Sequence, residues 1–164
     1  MKTVVITGAT SGIGFETAKL LAKRSFRIIG IGRSRKHCAE AERKIAASVK
    51  NANTKFFIAD LMNQREVNRV ADELTEFINQ SCGGELCTLI NNAGCARGYY
   101  MTTADGFEHQ FALNYLAGFL LTYRLLPLLQ QSSGRVIMTC SESHKGIKVH
   151  WNDVMLSERY NPLT

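Results

Sequence analysis

Residues 7–14 read TGATSGIG, a set of types and spacings suited to binding phosphate through backbone amides. The segment follows a short apolar run, TVVIT at 3–7, and opens a stretch with apolar residues at helical spacing. Gly8 lets the chain turn sharply out of a strand. Gly12 lets backbone approach a pyrophosphate, and Gly14 lets a helix pack close on a sheet. A helix starting there offers unpaired N–H groups and positive potential to an anion. Glycines at such spacing also make a plain strand-to-helix turn, and the strand–turn–helix context is what favours the phosphate reading.

A second cluster is basic. Arg33, Arg35 and Lys36 follow the apolar run FRIIGIG (26–32) and form the densest positive stretch of the chain. In dinucleotide-binding folds an acid at the end of the second strand hydrogen-bonds the ribose 2′-hydroxyl, whereas arginine accommodates a 2′-phosphate. IGRSRK contains no acid, so Arg33 points to NADP(H). Arginine grips phosphate as a bidentate fork that lysine cannot reproduce. Arg35 and Lys36 either add charge or form a solvated helix start.

These residues need elements to position them, and the hydrophobic pattern supplies an alternating series. The short runs 3–7, 26–32, KFFIAD (55–60), CTLIN (87–91) and GRVIMTC (134–140) read as strands. Between them, helices are expected from Gly12 to about Arg24, over 35–49, over about 64–79 and over about 106–131. Ile13, Ala18, Leu20, Leu21 and Ala22 fit the first helix, and Ala39, Ile45, Ala46 and Val49 form the expected inner face of the second. Val67, Val70, Ala71, Leu74 and Ile78 recur at spacings of three and four in the third. Strands apolar throughout, separated by helices, indicate a parallel sheet covered on both faces. The expected fold is therefore α/β, a doubly wound parallel sheet of Rossmann type. Residues 1–164 are expected to form one domain. Within it, 142–164 reads as loop with a short helical turn around 153–159.

Composition narrows the function classes. A chain of 164 residues buries roughly two-thirds of its unfolded surface, and 45% hydrophobic with 21% charged residues is ordinary for a globular domain. The net charge of +6 is scattered, with no Lys/Arg stripe interleaved with aromatics, which argues against nucleic acid as a partner. The five cysteines (38, 82, 87, 95, 140) form no C-x-x-C pair, as expected of reduced thiols. His109, His144 and His150 lie in no ligand spacing, so no metal is expected. Strand-like residues begin at Thr3, leaving no room for a leader, and YLAGFLLTYRLLPLLQ (115–130) carries Arg124 and Pro127. That stretch reads as a core helix rather than a membrane anchor, and a cytoplasmic location is expected.

The spacing T-G-x-x-x-G-x-G resembles the short-chain dehydrogenase/reductase family, and three later motifs strengthen the likeness. NNAG (91–94) ends the fourth strand, LNYLAGFLLT (113–122) resembles the helix carrying an active-site asparagine, and GRVIMTCS (134–141) resembles the strand ending in the catalytic serine. LNYLAGFLLT and SESHKGIKVHWNDV are most similar to the retinol-dehydrogenase-like branch. The resemblance implies NADP bound by Gly8, Thr10, Ser11, Gly12, Ile13, Gly14, Arg33, Asp60, Leu61, Asn92, Ala93 and Gly94. Asp60 would contact adenine, cap the next helix, or do both. The resemblance also implies Ser141 and Asn114 as catalytic residues. Ser141 would orient a substrate carbonyl, and Asn114 would hold a water in a proton relay. A small-molecule carbonyl or alcohol, whether retinoid, steroid or other, would be the substrate. His144 and Trp151 are candidates for the substrate mouth, whereas Cys95 and Cys140 are expected to be small packing residues.

Such an enzyme uses a tyrosine as acid or base beside a lysine, because a free phenol titrates near ~10. Tyr160 has Thr164 four residues on, not lysine, and lies 19 residues past Ser141. In the resembled branch, an aromatic–Asn pair such as RYN (159–161) precedes the true Y-x-x-x-K. Tyr160 is therefore expected to be a bystander, and the chain a nearly inactive fragment or short isoform. The alternative is a noncatalytic dinucleotide-binding or interaction protein ending at Thr164. The resemblance implies further strands and helices after residue 164. Residues 1–164 would then be a single NADP-binding domain, incomplete at its C-terminus and truncated after about the fifth strand. Its uncovered apolar edge predicts poor solubility or a homo-oligomer.

Overall fold

The computed structural model describes residues 1–158 and Tyr160. Strand β1 (Thr3–Thr7) leads into helix α1 (Gly12–Lys23), then β2 (Arg27–Gly32), α2 (Arg35–Ser48), β3 (Thr54–Ile58), α3 (Gln64–Ser81) and β4 (Thr88–Asn91). A π-helical turn, Phe111–Leu116, runs into α4 (Ala117–Gln131), and β5 (Arg135–Met138) follows. The five strands form one sheet in the order β3-β2-β1-β4-β5, with every pairing parallel. The order changes direction at β1, which has β2 on one side and β4 on the other. The crevice at the C-terminal ends of these strands is where open α/β sheets place ligands.

Side-chain alternation divides the core between the two faces. Val4, Ile6, Ile28 and Ile90 pack with Ala18 and Ala22 of α1 and with Cys38, Ala41 and Ile45 of α2. Val5, Ile29, Ile31 and Leu89 point the other way, toward Val67, Val70, Leu74 and Ile78 of α3 and Leu121, Leu125 and Leu128 of α4. Successive strand residues face opposite ways, so apolar runs such as Val4-Val5-Ile6 are what a sheet covered on both sides needs. Arg124 of α4 donates to Asn68 Oδ1 at 2.6 Å and pairs with Asp72, joining the outer surfaces of α3 and α4. One face of the apolar helix over 115–130, Ala117, Leu121, Leu125, Leu128 and Leu129, is held in the core, whereas Tyr115, Phe119, Tyr123 and Leu126 on the other are exposed.

The structure corrects several expectations. The long helix does not begin at 106, because an antiparallel bridge pairs Thr102 with Glu108 around a turn in which Gly106 has φ +82°. Glu108 Oε2 then accepts from the Phe111 N–H at 2.7 Å and satisfies a donor of the helix start. On α2 the inner face is Cys38, Ala41, Ile45 and Val49, while Ala39 and Ala46 are exposed. Alanine is too small to mark which face of a polar helix turns inward. Ile13 and Leu20 of α1 are also exposed, at 71% and 58%. After β5, a 3-10 turn covers Glu142–His144. No helix forms over 153–158. There the Asp153 carboxylate accepts from the Ser157 and Glu158 N–H groups at 2.8 and 3.1 Å, which holds its pKa below the ordinary range.

Strand β5 lies at the sheet edge, with Ile137 and Met138 44% and 48% exposed. The interior, by contrast, is closely filled around α4. Replacing fully buried Leu121 with alanine is expected to destabilise the chain by about 2–5 kcal/mol, through lost transfer energy and the cavity left behind. Urea denaturation followed by far-UV circular dichroism measures it, and a loss under about 1 kcal/mol would contradict this packing.

Candidate functional site

A cleft of about 1080 Å³ opens across the C-terminal ends of the strands. The glycine loop contributes Gly8, Thr10, Ser11 and Ile13, and the end of β2 contributes Arg33. Asp60 and Leu61 line it beyond β3, and Asn92, Ala93 and Gly94 beyond β4. Asn114 and Ser141 close the far side. Gly12 and Gly14 do not line the cleft. Gly12 takes φ +54° in the turn, and a Cβ on Gly14 would stand 2.4 Å from the Gly8 carbonyl oxygen. Exposed Ile13 is therefore a cleft-facing side chain rather than a misplaced core residue.

Thr7 holds the floor of this cleft together. Its hydroxyl oxygen accepts from the N–H groups of Asn92 and Ala93, both at 2.9 Å, and donates weakly to the Ile90 carbonyl at 3.5 Å. Asn92 answers by donating Nδ2 to the Thr7 carbonyl at 3.0 Å. One residue earlier in the chain, buried Asn91 donates to Thr122 Oγ1 and to Met138 Sδ, tying β4 to α4 and β5. The cleft floor is a hydrogen-bonded seam and not a row of loose loops.

The phosphate-binding features remain open. Ser11 is the N-cap of α1 but supplies no side-chain cap, so the first-turn N–H groups are left for an anion entering the cleft. A Cβ at Gly12 would meet nothing within 4 Å, so backbone is accessible there. Arg33 is exposed and, among the described residues, pairs with no carboxylate. Asp60 does not cap α3. Its Oδ1 accepts from the Met62 N–H at 3.1 Å, while Asn63 is the N-cap and accepts from Arg65 and Glu66. The capping role weighed for Asp60 belongs to Asn63, three residues on. This donor set fits a nicotinamide dinucleotide.

At the far side Asn114 sits in the π-helical turn. Its Oδ1 accepts from the Cys95 N–H and its Nδ2 donates to the Cys95 carbonyl, both at 2.9 Å. Ser141 caps the 3-10 turn, and its Oγ accepts from the Ser143 N–H at 3.2 Å and the Ser143 hydroxyl at 3.0 Å. A hydroxyl has two acceptor lone pairs and one proton, so the Ser141 O–H remains for a third partner in the cleft. His144 Nδ1 lies against the Ser141 carbonyl, which can only accept, so that nitrogen carries a proton.

A family profile described as "short chain dehydrogenase" matches residues 2–152. The chain belongs to the short-chain dehydrogenase family. Its relatives place it in the retinol-dehydrogenase-like branch. Retinol dehydrogenase 12 of Mus musculus is 38% identical over 160 residues, covering 97% of this chain and 49% of that protein. Polyprenol dehydrogenase of Homo sapiens is 32% identical over 166 residues, with 98% and 49% covered. A short-chain dehydrogenase from Sphingobium yanoikuyae, solved in complex with NADPH, superposes with a TM-score of 0.74 at 27% identity. That match covers 89% of this chain and 56% of the solved one. The chain spans about half the length of the curated relatives it matches.

In this member of the family, some cleft residues carry no sequence signal. Thr7 was visible only as the first letter of the glycine motif, and its role depends on β4 lying beside β1. Arg97 and Cys95 line the cleft because the loop after NNAG folds back on Asn114. His144 lines the cleft, whereas Trp151 is 82% exposed and lines a separate hollow with His150 and Asp153. Cys140 is exposed in the cleft and Cys95 half-buried, so neither is a packing residue. Tyr160 does not line the cleft. Its hydroxyl receives a hydrogen bond from Gln110 Nε2 and donates to the Arg97 carbonyl at 3.0 Å. Burial first, then the Glu108 carboxylate, holds its phenol above the ordinary pKa. Thr164 lies outside the described residues, so the Tyr160–Thr164 spacing has no structural counterpart.

The seam generates a direct expectation. Thr7→Val keeps the side-chain shape but leaves the Asn92 and Ala93 N–H groups without their acceptor, at a cost of about 1–3 kcal/mol. Thr7→Ser should recover most of that loss. Equal urea midpoints by circular dichroism for Thr7→Val and the parent chain would rule the seam out as a stabilising element.

Proposed function

We propose that this chain is the cofactor-binding half of an NADP(H)-dependent oxidoreductase acting on a small-molecule carbonyl or alcohol. The single observation that carries the cofactor reading is Arg33, an unpaired cation at the end of β2 on the cleft wall. When bound, the nicotinamide supplies or takes the hydride. The first-turn amides of α1 would hold the pyrophosphate, and Arg33 would hold the 2′-phosphate, for which a guanidinium fork is suited. Ser141 donates its free O–H to the substrate oxygen, which orients the carbonyl and stabilises charge building on oxygen. Asn114 holds the Cys95 segment against the cleft and so fixes the wall that it shares with Ser141. The retinol and polyprenol dehydrogenases among the relatives suggest retinoid or other lipid alcohols as the first substrates to try.

We assign proton transfer to a tyrosine other than Tyr160, whose hydroxyl is spent on Gln110 and Arg97. No tyrosine in the 164 residues is followed four positions later by lysine. Loss of a general acid lowers rates by ~10²–10⁴, so the polypeptide alone should bind cofactor with little turnover. The same observation supports a second reading, a noncatalytic dinucleotide-binding protein. Turnover by any longer form of this protein that carries a Y-x-x-x-K segment would exclude it. A cytoplasmic location goes with either reading.

Cofactor choice is tested by titrating the full chain with NADPH and NADH and following nicotinamide fluorescence. NADPH should bind at least about ten-fold tighter, the scale of a charge-assisted phosphate contact. Arg33→Asp should remove the preference. Equal affinities in the parent chain would refute the assignment. We further propose that the exposed β5 edge pairs with a second copy, since an unpaired apolar edge favours such association. Size-exclusion chromatography should show an oligomer or heavy aggregation, and a clean, stable monomer would count against it.

A further inference from the structure

Two arginines line the cleft, and the cofactor reading uses only Arg33. The second, Arg97, lies in the loop after NNAG and shares the cleft wall with Cys95, Asn114 and Ser141. Its backbone is fixed on both sides. The Arg97 N–H donates to Gln110 Oε1 at 3.2 Å, and its carbonyl accepts from the Tyr160 hydroxyl at 3.0 Å. Two residues earlier, Asn114 holds both polar backbone groups of Cys95. Arg97 is therefore positioned by the same packed helix start that carries Asn114, not by a free loop tip.

Its guanidinium is only partly satisfied. Nη1 donates to the Tyr99 hydroxyl at 2.8 Å, and the guanidinium carbon stands 5.9 Å from the Tyr99 ring centroid. Among the described residues, no carboxylate pairs with it, and buried Nε has no partner. An arginine carries five N–H donors in a planar fork matched to a carboxylate, and it keeps its charge at any physiological pH. The one carboxylate lining the cleft, Asp60, lies beyond β3 with Arg33 nearby along the wall, away from the NNAG loop. A permanent cation in the cleft with spare donors and no protein anion is built to receive one.

We propose that Arg97 is the specificity-determining cation of the cleft, selecting carbonyl or alcohol substrates that also carry a carboxylate. The proposal rests on the NADP(H)-linked reading of the site above. It makes the residue after NNAG-Cys-Ala, and not the glycine loop, the element that sorts substrates. Tyr99 orients the fork by accepting from Nη1 through its hydroxyl, while Gln110 and Tyr160 are positioning residues that act through the Arg97 backbone. A lipid alcohol without a carboxylate would leave the guanidinium desolvated without a partner, so among the retinoid and other lipid substrates named above Arg97 favours those that carry one.

The test uses the full chain saturated with NADPH, titrated calorimetrically with 4-carboxybenzaldehyde and with 4-methylbenzaldehyde, a neutral probe of similar shape. The carboxylated probe should bind at least about ten-fold tighter, the scale of hydrogen bonds to a charged group. Arg97→Met should bring the two probes to within about two-fold, and Arg97→Lys should recover part of the difference. NADPH affinity should stay unchanged in both variants. Equal binding of the two probes by the parent chain, including no measurable binding of either, overturns the proposal. So does weakened NADPH binding in Arg97→Met, which would make Arg97 a cofactor-phosphate contact. If the parent chain fails to bind NADPH at all, the cofactor reading itself falls, and the proposal falls with it.

Discussion

The cleft exists because β1 and β4 finish side by side and are locked there by one threonine hydroxyl. Parallel neighbours share no hairpin, so nothing in chain connectivity fixes how their C-terminal ends diverge. Thr7 Oγ supplies that constraint by accepting from two consecutive N–H groups of the NNAG segment. Asn92 returns the contact to the Thr7 carbonyl, so the two loops leaving these strands cannot separate independently. Everything lining the cleft is referenced to this seam. The glycine loop leaves from one side of it, and the segment holding Cys95 and Arg97 leaves from the other.

A second lock operates at right angles to the first. Asn114 sits where the helix widens into a π-turn, and its amide grips Cys95 at both backbone groups. Widened turns of this kind are uncommon and concentrate at functional sites. Here the widening places an amide side chain opposite a loop that has no regular structure of its own. Loop and helix thus form one wall, continued by Tyr160 and Gln110 on the side away from the cleft. Rigidity at the wall comes from side chains gripping backbone rather than from apolar packing, which is concentrated under the sheet.

Much of this was legible in the sequence. The alternation of apolar runs and three-four spacings located all five strands and the third helix, because a sheet covered on both sides leaves its strands apolar throughout. The glycine motif, Arg33, NNAG, Asn114 and Ser141 were each readable as residues, and the fold brings them to one cleft. What resisted reading was local. The turn at 102–108 looked like the beginning of the long helix because its bridge partners, Thr102 and Glu108, have no apolar period. Asp60 looked like a cap because Asp and Asn cap equally well, and only geometry gives that role to Asn63. Thr7 and Arg97 were invisible as working residues because their contacts lie far away in sequence or across the cleft.

Past Ser141 the chain leaves the sheet and keeps few long-range ties, among them Met155 Sδ accepting from the Glu108 N–H at 3.3 Å. The only tryptophan of the 164 residues, Trp151, stands in this stretch and is 82% exposed. The intrinsic emission of the protein therefore reports the surroundings of that one segment and not the core. A collapse of the sheet can pass nearly unseen at that wavelength, while a small rearrangement around the hollow of His150 and Asp153 can look like a global event. The molecule carries its own optical label, fixed at the place where the regular fold gives out.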